Sequence, residues 1–177
     1  MTRKLRIEEM QRLSIDEYAK ADKFELTIVL DNVRSLHNVG SVFRTADAFL
    51  IEAVFLCGIT GTPPHREIHK TALGATDSVP WQYFKNTNDA ITLLLENNYQ
   101  LLCLEQAKGS ILLNDFIPQK ASKCALVIGN EVHGVNQDII DRCHYCLEIP
   151  QNGTKHSLNV SVSTGIAIWD LWKKLKF

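Results

Sequence analysis

The sequence lacks long hydrophobic runs. No apolar stretch approaches the ~18 residues that a membrane-spanning helix needs. The first twenty residues carry charges throughout and contain no apolar core of the kind found in secretory signals. These absences predict a cytoplasmic protein without a membrane segment. Its five cysteines are then expected to be reduced thiols.

The sequence also lacks an excess of one charge. Nineteen Lys and Arg residues face twenty Asp and Glu residues, which gives a net charge of -1. This balance argues mildly against nucleic-acid binding, since phosphates are neutralised by Lys and Arg. Three local clusters of basic residues could bind phosphate, or could simply be solvated. The clusters are Arg3, Lys4 and Arg6; His65, Arg66, His69 and Lys70; and Lys173, Lys174 and Lys176.

Two further kinds of motif are missing. The sequence contains neither G-x-G-x-x-G nor G-K-[ST], which argues against a nicotinamide enzyme and a P-loop ATPase. Cys143 and Cys146 have C-x-x-C spacing, but no second Cys or His pair accompanies them, and a structural zinc site needs four ligands. We therefore expect no metal, and we expect Cys146 to be a thiol of an apolar strand.

The apolar residues that are present predict the fold class. Short apolar segments alternate with amphipathic ones, which is typical of an α/β protein with a parallel sheet and helices on both faces. We predict an N-terminal helical extension, residues 1–23, followed by one domain, residues 24–177. The predicted strands cover residues 26–31, 53–57, 79–84, 100–105, 123–129 and 146–150, and the predicted helices cover 5–22, 38–50, 66–73, 86–98 and 164–176.

Ligands in such folds bind beyond the carboxyl ends of strands, which directs attention to residues 31–44, 129–136 and 150–161. In the first segment, Asn38 can cap a helix on which Gly40 and Arg44 share a face. A glycine in a first helical turn suggests close approach by another group. The alternative is that Asn38 only caps the helix and that Arg44 only pairs with Asp47.

The second and third segments contain different signals. Gly129, Glu131 and Gly134 follow a buried strand, where glycines let backbone amides face a ligand; alone, this is an ordinary strand-to-helix turn. In the third segment, Ser157 and Asn159 alternate with apolar residues as in a strand, whereas the following residues predict a helix. Such conflicts are frequent at functional sites.

Taken together and in this order, the three segments resemble the three sequence motifs of the SpoU/TrmH family of RNA ribose 2'-O-methyltransferases, within the SPOUT superfamily. The resemblance covers about residues 24–176. One departure is Gln151, where many family members carry Met, and we expect this position to distinguish subgroups. The motif residues are Asn38, Gly40, Arg44 and Ala46; Gly129, Glu131 and Gly134; and Ile149, Pro150, Gly153 and Ser157 through Val162.

The resemblance implies a fold and a cofactor. The family sheet is parallel, and its C-terminal part forms a deep trefoil knot, an exception to the general absence of knots. The last helix is then expected to begin near Ser157. S-adenosyl-L-methionine is expected to lie in the knot, held largely by backbone groups at Leu104, Gly129, Ile149 and Leu158. Its methyl group is already activated, so the chemistry needs no metal.

The resemblance also implies roles for the polar motif residues. Arg44 is expected to hold an RNA phosphate and to stabilise the developing ribose alkoxide, since a guanidinium is a poor base. Family mechanisms often cast this arginine as the base, and that alternative stays open. Ser157 and Asn159 are expected to fix the loop and the ribose. Glu131 and Asn38 are expected to orient Arg44 and the knot loops.

Partners follow from the same resemblance. Family members are homodimers with the RNA site at the subunit interface, and Trp169, Leu171 and Trp172 are candidates for the core or that interface. Trp81 is also expected there rather than as a base-stacking platform. Three segments, residues 104–110, 146–153 and 157–170, are similar to tRNA guanosine 2'-O-methyltransferases that modify the D-loop, which favours tRNA over rRNA. The alternatives are an rRNA 2'-O-methyltransferase and a catalytically inactive RNA-binding or scaffold protein with the same fold.

Overall fold

A single parallel sheet forms the centre of the computed structural model, which describes residues 2–118 and 123–176. Within these residues the sheet has seven strands. They are β1 (Phe24–Asp31), β2 (Ile51–Cys57), β3 (Trp81–Phe84), β4 (Gln100–Leu104), β5 (Ile111–Leu112), β6 (Cys124–Ile128) and β7 (Tyr145–Glu148). The α-helices are α1 (Ile15–Lys20), α2 (Leu36–Ala48), α3 (Arg66–Ala72), α4 (Ala75–Ser78), α5 (Thr87–Glu96), α6 (Gln137–Ile140) and α7 (Val160–Lys176). Short 3-10 helices cover Ile7–Glu9 and Leu113–Asp115.

The order of the strands determines where a ligand can bind. Across the sheet the order is β3-β2-β1-β6-β4-β7-β5, and every pairing is parallel. All carboxyl ends therefore lie at one edge. From β1 the chain builds outward through β2 and β3 on one side, and the later strands fill the other side. The order reverses between β1 and β6, and open α/β sheets bind ligands beside such a reversal.

Helices cover both faces of the sheet, which explains the nearly continuous apolar strands. Along β1, Ile28 and Leu30 face one hydrophobic cluster, and Val29 faces the other. The first cluster includes residues of α1 to α4 and α7, such as Ile68 and Ile168. The second includes residues of α5 and α6. The predicted class, a parallel α/β sheet with helices on both faces, is confirmed. No helix among residues 2–118 and 123–176 has the length and apolar character to cross a membrane.

Several element boundaries differ from the predictions. The helix predicted over residues 5–22 is reduced to a 3-10 turn and α1, which begins after the capping box of Ser14 and Glu17. Helix α2 begins at Leu36 with Ser35 as its cap, so the prediction that Asn38 caps it is wrong. Helix α7 begins at Val160, between the two predicted starts. Strand β5 and helices α4 and α6 were not predicted: β5 has only two residues, and each helix has four, about one turn, which is too short to show a helical period.

Candidate active site

A cavity of about 550 Å³ opens at the carboxyl ends of β4, β6 and β7. Its volume is that of a typical small-molecule site. Its walls are the loops after these three strands and the segment that leads into α7. Seven of the nine predicted site residues line it, namely Leu104, Gly129, Glu131, Ile149, Ser157, Leu158 and Asn159, whereas Asn38 and Arg44 do not.

Strand register brings these loops together. Leu104 is paired with Ile128 on one side and with Leu147 on the other. The next residues along the three strands therefore leave the sheet side by side. Two parallel strands that are distant in sequence thus supply adjacent walls of one cavity.

The loop after β6 is closed on itself by backbone contacts. Asn130 and Gly134 exchange two backbone hydrogen bonds, of 3.1 and 2.9 Å. A Cβ atom on Gly129 would lie 2.1 Å from the carbonyl carbon of Gly134. Gly134 itself has a φ of +67°, a conformation that favours glycine. Close backbone packing therefore requires glycine at position 129, and the backbone conformation favours glycine at position 134.

Two side chains that sequence reasoning did not select also hold this loop. The Glu105 carboxylate accepts hydrogen bonds from the backbone amide of Val135 at 2.9 Å and from that of Gln106 at 2.8 Å. The Asn130 side chain donates to the carbonyl oxygen of Asn32 at 2.7 Å. Glu105 directly follows β4, and that position beyond a strand end was the available signal. The loop is thus fixed to the ends of both neighbouring strands, β4 and β1.

Glu131 joins the loop after β6 to the start of α2. Its carboxylate accepts from the backbone amides of Arg34 and Ser35, each at 2.9 Å, and from the side-chain amide of Asn38 at 3.0 Å. Partial burial raises the pKa of Glu131, but these hydrogen bonds outweigh it and lower the pKa below its usual value. Glu131 is therefore a carboxylate that holds the first motif against the second.

Asn159 connects the third motif to the first. Its side-chain oxygen accepts from the backbone amides of Ser161 at 2.9 Å and Val162 at 3.3 Å, which caps the N-terminus of α7. Its side-chain nitrogen donates to the Asn38 side-chain oxygen at 3.1 Å. Asn38, which is 6% exposed, therefore bridges Glu131 and Asn159. The three sequence motifs meet at this one buried amide.

Arg44 lies outside the cavity, on the exposed side of α2. Among residues 2–118 and 123–176 it has no hydrogen bond or ion pair, so the expected direct contact with Glu131 or Asn38 is not found. The alternative pairing with Asp47 is also not observed, because Asp47 accepts from the Ser78 hydroxyl at 2.5 Å. The group that approaches Gly40 is α3, since an added Cβ would lie 2.2 Å from the carbonyl oxygen of Ile68.

The segment before α7 covers one side of the cavity. The Gln106 side chain donates to the carbonyl oxygen of His156 at 2.5 Å, and the Ser110 hydroxyl donates to Glu148 at 2.6 Å. Ser157 is exposed and has no hydrogen-bond partner in the described part of the chain.

Glu105 and Glu148 line the cavity together with Glu131. These carboxylates come from the ends of three strands around the cavity, and their negative charge suits a ligand that carries positive charge.

The cysteines do not form a metal site in the described part of the chain, where no group of three or more His, Cys, Asp or Glu side chains is placed to hold an ion. Cys146 is partly buried in β7, and its thiol donates to the carbonyl oxygen of Glu105 at 3.5 Å. A hydrogen bond with Cys143, together with burial, raises the pKa of Cys103 to about 12. At neutral pH that thiol is therefore protonated.

Comparison with known proteins points to one family for this chain. The model of the SpoU rRNA methylase family matches residues 25–169. An uncharacterized tRNA/rRNA methyltransferase of Borreliella burgdorferi is 31% identical over 151 residues, which are 84% of this chain and 64% of that protein. The chain spans between 61% and 66% of the length of such curated relatives.

Solved structures agree with this comparison. An AdoMet-bound rRNA methyltransferase from Sinorhizobium meliloti is 28% identical with a TM-score of 0.81, covering 87% of this chain and 58% of that one. A TrmH/SpoU tRNA modifying enzyme from A. aeolicus is 25% identical with a TM-score of 0.76, covering 85% and 75%.

Proposed function

The chain belongs to the SpoU rRNA methylase family, and we propose that it transfers a methyl group from S-adenosylmethionine to a ribose 2'-hydroxyl of RNA. The main support is the cavity at the ends of β4, β6 and β7, which is lined by residues of the second and third motifs. The hydrogen bonds of Asn38 to Glu131 and Asn159 attach the remaining motif to it.

The cavity fits S-adenosylmethionine in size and in charge. Leu104, Gly129, Ile149 and Leu158 line it, as the family resemblance implies for the residues that hold the cofactor. The carboxylates around the cavity suit a sulfonium cation, and the similar Sinorhizobium enzyme was solved with AdoMet bound. When bound, this cofactor supplies an already activated methyl group, which removes the need for a metal.

We propose that the C-terminal part of the chain forms the trefoil knot of the family. The support comes from the order of the last strands. Strand β7 lies between β4 and β5, and residues 105–110 connect those two strands. Since Ile111 and Leu104 both pair with Leu147, this connection passes over the carboxyl end of β7. Gln106 of this connection donates to the carbonyl oxygen of His156, so the connection lies against the chain that continues from β7.

We propose that residues 1–23 are an extension and that residues 24–177 form the methyltransferase domain. The family match begins at residue 25, one residue into β1, which supports this division. The extension is docked on the domain, because Tyr18 of α1 is 4% exposed and belongs to the main core. Its cations Lys4 and Arg6 are exposed and available to RNA, whereas Arg3 is paired with Glu9 at 2.6 Å.

We propose a homodimer with the cavity at its interface. Four large apolar side chains of the segment into α7 are exposed at helical spacing, namely Leu158, Val162, Ile166 and Trp169, with exposed fractions of 37% to 53%. A continuous exposed apolar stripe usually marks an interaction surface. The stripe begins at the cavity, which Leu158 lines. A second copy packed there would bring further groups to the cavity.

The proposed chemistry assigns Arg44 an electrostatic role. The ribose hydroxyl loses its proton to solvent water as its oxygen takes the methyl group, and the positive guanidinium stabilises the developing alkoxide while it holds a neighbouring phosphate. Arg44 is exposed and has no partner in the described part of the chain, so it is available to RNA. Since it does not line the cavity of its own chain, a dimer offers the way to place it at the cavity of the other copy.

We propose tRNA as the substrate, with a D-loop guanosine as the first position to examine. The similar segments at residues 104–110, 146–153 and 157–170 support this choice. An rRNA substrate remains the second candidate, because the Sinorhizobium relative is an rRNA methyltransferase and the A. aeolicus relative is a tRNA modifying enzyme. Supplying purified tRNA and rRNA separately distinguishes the two.

The test combines binding and turnover. Titration calorimetry with S-adenosylmethionine should show one site per chain, and labelled methyl groups should pass from the cofactor to tRNA. Cofactor binding without transfer to any RNA would favour the inactive scaffold protein. If neither binding nor transfer is found, both assignments are wrong.

A further inference from the structure

A second cavity, of about 510 Å³, lies beside β3 at the far edge of the sheet from β7. It shares no lining residue with the first cavity. Its walls include His65, Arg66, Ile68 and His69 from the start of α3, and Asp77 and Trp81 from the approach to β3. Aromatic, cationic and apolar groups thus face one space of ligand size.

The indole ring of Trp81, which lines this cavity, is unusually exposed. Trp81 lines the cavity and is 38% exposed, whereas its neighbour Tyr83, 46% exposed, does not line it and donates its hydroxyl to the carbonyl oxygen of Gly58. They are two residues apart on β3, so they point to the same side of this edge strand. Among the described residues, Trp81 has neither an aromatic neighbour nor a hydrogen-bond partner for its indole N–H. Trp81 therefore does not lie in the core of the single chain, and its alternative place at a dimer interface stays a prediction.

The cationic side of the cavity is available to a ligand. Arg66 is exposed and makes no hydrogen bond or ion pair within residues 2–118 and 123–176. The neighbouring Glu67 is already occupied, because it accepts from Lys70 at 2.7 Å and contacts His37 at 2.8 Å. His65 accepts from the Glu67 amide through Nδ1, which leaves Nε2 to donate outward. Asp77 is the acidic group in this wall.

The helix that lines this cavity, α3, packs against α2, the helix that carries Arg44. Helix α3 packs so closely on α2 that a Cβ atom on Gly40 would lie 2.1 Å from the Thr71 hydroxyl oxygen. His37 of α2 also contacts Glu67 of α3. The positions of Arg66 and Arg44 are thus fixed relative to each other by helix packing.

We propose that this second cavity binds one unpaired nucleotide of the RNA substrate. The base stacks on Trp81, and Arg66, with His65 and His69, holds its phosphate. An unpaired nucleotide is required because bases in a duplex are stacked on each other and leave no free face for an indole ring. The inference rests on the proposed function for the assumption that RNA is the substrate.

The experiment uses the full chain and two RNA probes, a twelve-nucleotide oligouridine and a duplex of the same length. Fluorescence anisotropy measures the affinity of wild type, Trp81→Ala, Trp81→Phe and Arg66→Ala for each. Trp81→Ala should weaken oligouridine binding about tenfold and leave duplex binding nearly unchanged, whereas Trp81→Phe should keep most of the affinity. Arg66→Ala should lower the log-log salt dependence by about one, and Lys20→Ala, an exposed cation on α1, should not.

Methyl transfer separates this inference from the proposed function. Trp81→Ala and Arg66→Ala should raise KM for tRNA, with kcat and calorimetric cofactor affinity unchanged, whereas Trp81→Phe should keep a KM near that of wild type. If wild type methylates tRNA but Trp81→Ala leaves both KM and oligouridine affinity unchanged, only the further inference is wrong. If wild type binds oligouridine through Trp81 but transfers no methyl group, the proposed function fails and the nucleotide site stands.

Two other results would overturn the nucleotide site. If Trp81→Ala weakened oligouridine and duplex binding equally, the loss would reflect a general effect of charge or folding and not the stacking of a base on Trp81. Dissociation of the dimer by Trp81→Ala in light scattering would make this surface a subunit contact. Should Trp81→Ala fail to fold, Trp81→Phe and the exposed Arg66→Ala still decide the question, because unchanged affinity in Arg66→Ala removes the phosphate contact.

Discussion

The side-chain amide of Asn159 donates to the side-chain oxygen of Asn38 over 3.1 Å. This contact joins the cap of α7 to the first turn of α2, across 121 residues of sequence. The side-chain nitrogen of Asn38 donates to the Glu131 carboxylate, so this one buried side-chain amide connects the three loops. The arrangement predicts that the loops are stable only together.

Asn38→Ala should lower the free energy of unfolding by about 1–3 kcal/mol, because it leaves Asn159 without an acceptor and removes one donor from Glu131. Cofactor affinity should fall as well, since both partners line the cavity. Urea denaturation and calorimetry measure the two effects. The control is Asn97→Ala, whose side chain donates to Leu93 at an exposed helix end. Equal stability of the two variants would disprove the bridging role.

Glu131 should make the stability of the protein depend on pH. Its pKa is lower in the folded protein than in the unfolded chain, so its ionised form contributes stability above the unfolded pKa. That contribution is lost as the pH falls through the folded pKa. Urea denaturation between pH 6 and pH 3, a range that extends below the unfolded pKa, should show a steeper loss for wild type than for Glu131→Gln. Parallel curves for the two proteins would contradict the assignment.

Gly129→Ala should abolish tight cofactor binding. The added methyl group would lie 2.1 Å from Gly134 and 2.2 Å from the backbone nitrogen of Val135, so the loop must move. We expect a loss of at least tenfold in calorimetric affinity. Gly165→Ala is the matched control, because a Cβ atom there meets nothing within 4 Å. A Gly129→Ala protein that binds cofactor like wild type would show that this loop does not form the binding wall.

Ile166→Arg should convert the dimer into a monomer. The substitution places a charge in the middle of the exposed stripe on α7, where dimerisation would bury it without a partner. Light scattering should give twice the chain mass of 20.0 kDa for wild type and the single mass for the variant. Leu93→Arg, at a similarly exposed apolar position on α5, should remain dimeric. A monomeric wild-type protein would refute the dimer directly.

The fold could be predicted from sequence wherever the apolar pattern was continuous. Strands such as β1 and β6 are buried on both faces, and their runs of Ile, Val and Leu reveal them. The two-residue β5 has no such signal, because it depends on pairing with β7. Residues around Ser157 alternated like a strand but lie in the segment before α7, because Asn159 caps that helix.

Most residues of the site could be predicted from the sequence, but the hydrogen bonds between them could not. The motif residues could be selected from sequence, and most of them line one cavity. The hydrogen bond between Asn38 and Glu131 spans 93 residues, and no local pattern encodes it. Glu105 escaped selection because its role is to accept backbone amides of a distant loop. The position of Arg44 outside the cavity likewise follows from how α2 packs, not from its spacing.

Arg44 should be dispensable for folding and essential for turnover. It is exposed, and no partner for it is found in the described part of the chain, so Arg44→Ala should unfold at the same urea concentration as wild type. Loss of a group that stabilises a developing alkoxide should slow methyl transfer on the order of 100-fold. Arg44→Lys should be similarly slow, because a lysine lacks the planar fork that holds phosphate and alkoxide together. Calorimetric affinity for the cofactor should not change.

The most direct measurement identifies the methylated atom. Wild type and Arg44→Ala are incubated with labelled S-adenosylmethionine and tRNA, and the product is digested to nucleosides and separated. We predict a 2'-O-methylated ribonucleoside from wild type, and its formation on the order of 100-fold more slowly by Arg44→Ala. A methyl group on a base, or equal rates for the two proteins, would contradict the proposed reaction and the role of Arg44 respectively.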